Sequence, residues 1–292
     1  METRVALVTG GTDGIGRAVA LRLARDGNRV LLVGRDRERG ERALAALRAA
    51  APAAAHCFLP ADLSLLAEVA RLAGEVARHS DRLDAAVLCA GVLSTAPEWT
   101  HEGLERTLAL NYLSRYLLAR RLLPALAASP AGRLVLVANA GRYRDTLDLD
   151  DLQHRRGRPG MRVAGRTQFA NDLLAVELAE RLRATNVVVS CVYPGVVRTS
   201  VWRNARGLPP LVRAAAGGLA GLVGRDPDEA ARTPALLAGE RLRTGGFYGP
   251  RARPLRIPPG ALRPERRLAL WTASEALVRD HLPAAGRAAR PA

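Results

Sequence analysis

Lysine is absent from this 292-residue chain: all 44 of its Lys+Arg residues are arginine. Any chemistry that depends on a lysine ammonium is therefore excluded. Aromatic residues are scarce, at 4% against 48% hydrophobic residues overall, so the core must be built mainly from Ala, Leu and Val. A compact basic run interleaved with aromatics is also missing. The formal charge of +16 comes from arginines scattered through every segment, which predicts non-specific anion binding at low salt and no specific nucleic-acid partner. Only three cysteines occur, Cys57, Cys89 and Cys191, at or near the ends of apolar runs. They lack metal-ligand spacing and read as buried thiols of a reducing compartment, so no metal site is expected. No apolar run is long enough to span a bilayer; the most apolar later stretch, Leu211 to Val223, is short, Gly-rich and interrupted by Arg213. The first strand begins by Arg4 with no signal peptide ahead of it, which predicts a cytoplasmic location.

What is present is organised around Val5-Ala6-Leu7-Val8-Thr9-Gly10-Gly11-Thr12-Asp13-Gly14-Ile15-Gly16. Four apolar residues make a buried strand, the glycines permit a tight turn, and Arg17-Ala18-Val19-Ala20-Leu21 continues as a good helix former. A strand feeding straight into a helix N-terminus aims unpaired N–H groups and the positive end of the helix dipole at one point, which suits a phosphate. The alternative is a tight βα connection with no ligand. A second buried run, Arg29 to Gly34, ends in Arg35-Asp36-Arg37. At this position of a dinucleotide fold an acid suits a free ribose 2′-hydroxyl and an arginine a 2′-phosphate. Arg35, with Arg17 nearby, points to NADP(H) over NAD(H).

Strand-like and helix-like segments then alternate. Helices are expected over 15–26, 38–50, 65–78, 103–127 and 167–183, and strands over 29–34, 56–59, 83–89, 133–137 and 187–192. This order builds a parallel sheet with helices on both faces. No linker interrupts it, so 1–292 reads as one domain, with a cofactor half over about 1–140 and a substrate-side half over about 141–292. The Leu-, Ala- and Gly-rich segment at about 205–225 reads as an apolar lid over a hydrophobic ligand, or as a helix packed on the surface.

The chain resembles the short-chain dehydrogenase/reductases, and most closely their retinol dehydrogenase-like branch. The matching stretches are Thr9-Gly10-x3-Gly14-Ile15-Gly16, Asp62-Leu63, Ala90-Gly91, Leu108-Ala109-Leu110-Asn111, Asp150-Asp151-Leu152-Gln153, Ala170-Asn171, Pro194-Gly195-Val196-Val197-Arg198-Thr199 and Leu270-Trp271-Thr272-Ala273-Ser274-Glu275. The resemblance implies a three-layer Rossmann-type α/β fold with a seven-stranded, mostly parallel sheet. It also implies that Thr9, Gly10, Thr12, Asp13, Gly14, Ile15, Gly16 and Arg17 serve the cofactor at the first turn. By the same resemblance Asp62 and Leu63 lie beside the adenine, Ala90 and Gly91 along the adenosine side, and Pro194, Gly195, Val197 and Thr199 around the nicotinamide carboxamide. The alternative for Asp62 is the N-cap of the helix that starts near Leu65. Position 89 is Cys where the family usually carries Asn.

Enzymes of this family use a tyrosine as acid–base group, a lysine four residues later to lower its pKa, a serine on the carbonyl oxygen and an asparagine in a water relay. A gapless match anchored on Arg133–Val137, Asp151-Leu152-Gln153 and Ala170-Asn171 puts Asn139 at the serine position, Ala164 at the tyrosine and Gln168 at the lysine; Asn111 alone is kept. A chain without lysine offers no register that restores the pair. Protonation and oxyanion stabilisation must come from elsewhere, and general acid catalysis typically contributes about 10²–10⁴-fold. Asn139 can donate to an oxyanion, and Tyr143, flanked by Arg142 and Arg144, can supply a phenol. Arg166 is offset by two from the lysine position, His154 sits in an Arg-rich connection, and Gln168 can hold a ribose hydroxyl. Three readings stay open: an atypical NADP(H)-dependent oxidoreductase on a small hydrophobic or polycyclic carbonyl or hydroxy compound, a non-redox cyclase, dehydratase or isomerase on the same fold, and a catalytically silent binding protein. Relatives assemble through the long helices at 103–127 and 167–183, where Arg115, Arg120, Arg121 and Arg181 leave homo-oligomerisation undecided.

Overall fold

The computed structural model describes residues 3–141, 145–157, 160–199, 201, 205–239, 246–257 and 262–283. Its centre is one seven-stranded sheet in the order β3-β2-β1-β4-β5-β6-β7. The strands are β1 (Val5–Thr9), β2 (Arg29–Gly34), β3 (Cys57–Pro60), β4 (Ala85–Leu88), β5 (Arg133–Val137), β6 (Val188–Val192) and β7 (Gly246–Tyr248). Neighbours pair in parallel throughout. A parallel sheet covered on both faces makes its strands continuous apolar runs, which is why VALV, VLLV and LVLV read as strands without alternation. Thr9 of β1 pairs with Val33 and Leu88, so the ends of the three central strands stand level.

One face is covered by α1 (Gly14–Arg25) and α2 (Arg37–Ala50), together with α8 (Pro227–Ala230) and α9 (Arg232–Ala238). The other is covered by α3 (Leu66–His79), α4 (Arg106–Leu108), α5 (Ser114–Ala127) and α6 (Met161–Arg181), with α10 (Pro264–Val278) packed on α6. The helix expected over 103–127 starts later and is interrupted: a π-helical turn at Ala109–Leu113 separates α4 from α5 and carries Asn111. The helix expected from Thr167 begins six residues earlier, at Met161. The Leu270-Trp271-Thr272-Ala273-Ser274-Glu275 stretch lies in α10, where Ser274 meets the Tyr112 hydroxyl at 2.7 Å and Trp271 packs edge-on to Tyr116 at 4.9 Å. No helix among the described residues is long and apolar enough to cross a membrane.

α7 (Pro210–Val223) occupies the segment expected as a lid. Ala220 is its buried residue, whereas Leu211, Leu219, Leu222 and Val223 are exposed.

Candidate functional site

The turn after β1 is fixed by close backbone approach. Gly10 has φ +63°, and a Cβ there would lie 2.9 Å from the Cα of Ala90. At Gly16 a Cβ would lie 2.3 Å from the Gly10 carbonyl oxygen, so α1 can seat against the turn only with glycine. The Thr9 hydroxyl accepts from the Ala90 N–H at 3.2 Å and ties the ends of β1 and β4 together. Asp13 caps α1 by accepting from the Gly14 N–H at 2.7 Å, and the first turn of α1 contains no acid. The Asp13 carboxylate is itself 3.7 Å from Arg39, which offsets its charge at the positive end of the helix.

A cleft of about 610 Å³ opens along the C-terminal ends of the strands, where ligands bind in open α/β sheets. Gly10, Thr12, Asp13, Gly14, Ile15 and Gly16 line one side, with Arg35 at the end of β2 and Asp62, Leu63, Ala90 and Gly91 beside it. Pro194, Thr199, Asn139 and Gln168 line the inner end. Four residues expected at the cofactor do not line this cleft. Thr9 is buried beneath it, and Val197 pairs with Arg225. Gly195 packs against the Arg225 stem, which a Cβ would meet at 2.8 Å. Arg17 lines a neighbouring cavity of about 850 Å³ between α1 and the glycine-rich side of α7.

Arg35 is exposed at the rim, while Asp36 beside it caps α2 through the Arg39 N–H at 3.0 Å. Asp62 accepts from both the backbone N–H and the hydroxyl of Ser64, at 2.9 and 2.7 Å. It does not cap α3; that role falls to Glu102, whose carboxylate takes the Leu66 and Ala67 N–H groups at 2.6 and 3.0 Å. Although burial opposes ionisation of Asp62, the Ser64 hydrogen bonds and nearby Arg106 and Arg35 hold its carboxyl below the ordinary range.

At the inner end, Asn111 has both halves of its amide on the backbone of Val92, at 2.8 and 2.9 Å. Its own backbone carbonyl accepts from the Asn171 amide at 2.9 Å. Asn139 and Gln168 are half-buried and face the cleft. Ala164 is buried and does not line it. Arg166 is 3% exposed and forms a buried ion pair with Glu105, so its charge is turned away from the cleft. His154 also lies outside the cleft, and Tyr143, with Arg142 and Arg144, lies outside the described residues. Tyr116 stands four residues before an arginine, Arg120, whose guanidinium donates to the phenol at 2.9 Å. That pair is packed against Trp271 on the α10 side and does not line the cleft. No tyrosine among the described residues does.

Residues 4–146 match the profile of the short chain dehydrogenases. Retinol dehydrogenase 14 of Homo sapiens is 31% identical over 293 residues, covering 95% of this chain and 87% of its own. A protein of Streptomyces sp. (strain C5), provisionally named daunorubicin C-13 ketoreductase DnrU, is 36% identical over 285 residues, covering 95% of this chain and 93% of its own. The chain belongs to the short-chain dehydrogenase/reductase family. Among solved structures, a metagenomic short-chain oxidoreductase in complex with NADP superposes with a TM-score of 0.63 at 26% identity, over 85% of this chain and 97% of that one. Family members are oxidoreductases that bind a nicotinamide dinucleotide, and both the expected fold and the expected cofactor class agree with these comparisons.

Within this family member, two charged groups near the cleft escaped the reading of the sequence. Arg115, which looked like a surface interruption of a long helix, is 4% exposed and lines the cleft from below. Asp172, one helical turn beyond Gln168, is 0% exposed and accepts from the Gly141 N–H at 2.7 Å. It thereby holds the loop that follows Asn139, where Ala140 and Gly141 both take positive φ. The spacing i, i+4 from Asn111 and from Gln168 is the one sequence signal that would have pointed to these residues.

Burial pushes the Asp172 carboxyl up to about 7, against the stabilising pull of the Gly141 N–H and the Cys191 thiol. In the unfolded chain it ionises near its ordinary value of 3.8. Below that pH both states are protonated and the site costs nothing. As pH rises from about 4 to about 7 the unfolded state ionises first, so stability falls across that window by on the order of 4 kcal/mol. Asp172→Asn keeps an acceptor for Gly141 and removes the ionisation. It is expected to melt roughly 5–10 °C above the wild type at pH 8 and within about 2 °C of it at pH 4. Parallel melting curves at both pH values would dismiss this account.

Proposed function

We propose that this chain is an NADP(H)-dependent oxidoreductase acting on a small hydrophobic or polycyclic carbonyl or hydroxy compound through a non-standard active site. One observation carries the reading: a single cleft runs from the glycine turn and Arg35 to the Asn139 and Gln168 amides. The turn fits the cofactor, because glycines at 10 and 16 let the backbone close tightly at the N-terminus of α1, where a Cβ would clash with Ala90 or with Gly10 and force the turn that would face a pyrophosphate apart. When bound, the dinucleotide supplies or accepts hydride. The protein's own groups do the rest. Asn139 donates its amide N–H to the oxygen that gains charge, and Gln168 orients a ribose hydroxyl. Asn111 and Asn171 hold the inner wall in place through their backbone contacts. The remaining proton comes from Tyr143 or from solvent. The polycyclic class is supported by the name of the Streptomyces relative.

The test is a titration with NADPH, NADP⁺ and NADH followed by a carbonyl panel. Arg35→Ala is expected to raise the Kd for NADPH by roughly 10-fold while leaving that for NADH within about twofold, since only the former carries a 2′-phosphate. Equal weakening of both would remove Arg35 from cofactor selection. A non-redox activity on the same fold is the second reading, favoured by the two amides at the inner end; turnover that survives complete removal of nicotinamide cofactor would establish it and end the first.

A further inference from the structure

Five arginines line the cleft, and four of them are accounted for by their surroundings. Arg39 lies 3.7 Å from both Asp13 and Asp36, Arg106 and Arg206 share Glu98, and Arg35 is exposed within electrostatic reach of Asp62. Arg115 differs from all of these. It is 4% exposed, and its Nη2 donates to the Ala90 carbonyl at 2.9 Å. Its Nε and Nη1 are buried without a hydrogen-bond partner. No carboxylate pairs with it among the described residues; its electrostatic neighbours are Cys89, just beyond β4, and Cys191 on β6. A Cβ placed on Gly91 would lie 3.8 Å from its Nη2, at the same edge that Asn111 borders.

Leaving two donors of a buried cation without acceptors is costly, and such groups persist where a bound molecule or a functional demand uses them. Loss of the proton does not relieve the cost: burial lowers the pKa of Arg115 to about 10, which leaves a full positive charge at neutral pH. The Cys89 thiol beside it is pushed up to about 12 by burial and stays neutral, so it does not offset the charge. Among the five cleft arginines, Arg115 is therefore the one whose charge no carboxylate offsets among the described residues.

We propose that Arg115 is the fixed cation of the cleft floor, and that it sets the preference of this site for the reduced, uncharged nicotinamide ring over the oxidised, cationic one. The inference rests on the dinucleotide reading above. A unit charge held in a desolvated floor repels a second positive charge in the cleft far more than it would in water, so the two redox forms are separated by its presence. A carbonyl oxygen gaining negative charge in the cleft would be attracted by it.

The experiment is a tryptophan-quenching titration of the full chain with NADPH and with NADP⁺, for the wild type, Arg115→Lys and Arg115→Met, with folding checked by circular dichroism. The ratio of the two dissociation constants is the readout, because a purely structural role would weaken both forms together. Expected is a wild-type preference for NADPH that Arg115→Lys retains and Arg115→Met reduces by about 10-fold. If the methionine variant does not fold, the same ratio is read from Arg115→Gln, whose amide can still donate to Ala90. An unchanged ratio in the folded charge-free variant overturns the proposal while leaving the dinucleotide reading intact. Failure of the wild type to bind either form overturns both.

Discussion

Replacing Arg166 by methionine is expected to lower the melting temperature by roughly 10 °C. Arg166 and Glu105 form an ion pair at 3% and 0% side-chain exposure. Around it, the guanidinium also donates to the Leu152 carbonyl at 2.8 Å, and Glu105 accepts from the Thr107 and Leu108 N–H groups at 2.9 and 2.8 Å. The Glu105 N–H in turn donates to Gln153 at 3.0 Å. Removing the cation leaves a carboxylate buried with only backbone donors, which typically costs about 3–5 kcal/mol. Neutralising Glu105 as well, in Arg166→Met with Glu105→Gln, should recover part of that loss, because an amide tolerates burial better than an uncompensated charge. A double variant no more stable than the single one would show that the damage lies in packing. The pair joins the start of α6 to the start of α4, so it also fixes the two segments that carry Gln168 and Asn111.

Local sequence was enough for the strands, because a strand buried on both faces must be apolar at consecutive positions, and Arg133–Val137 stands in the structure with the limits expected of it. It was not enough where the deciding contact is distant in sequence. The Arg-rich connection ahead of Thr167 read as polar throughout, yet from Met161 it is already α6, and the partner that makes Arg166 acceptable in a core lies 61 residues upstream. An N-cap for α3 was the alternative reading of Asp62, and the cap is Glu102, 36 residues downstream of Leu66. β7, only three residues long, carries no periodicity that distinguishes it from a loop. The π-helical turn at Asn111 is likewise invisible to a helical pattern, which continues through it without a break. For the site, the glycine turn and Arg35 were legible because backbone geometry and charge are local properties. Arg115 was not, since an arginine in a helix is ordinarily exposed and only tertiary packing shows that it points inward.

Gly16→Ala is the substitution expected to affect ligand binding most. The added methyl would stand 2.3 Å from the Gly10 carbonyl oxygen and 2.7 Å from its carbon, both backbone atoms with no side-chain freedom to yield. α1 must then move away from the turn, carrying its N-terminal N–H groups out of line with any phosphate. Losing alignment of one or two charge-assisted N–H hydrogen bonds, each worth about 1.5–3 kcal/mol, should lower NADPH affinity by roughly 100-fold. The sheet core beneath is built from β1, β2 and β4 and does not depend on this contact, so far-UV circular dichroism should be retained. Gly74→Ala is the matched control: it lies inside α3, a Cβ there meets nothing within 4 Å, and alanine should stabilise the helix by about 0.5 kcal/mol without touching the cleft. If Gly16→Ala bound NADPH as tightly as Gly74→Ala, the turn would not be the phosphate site, and the positive end of α1 would need another explanation.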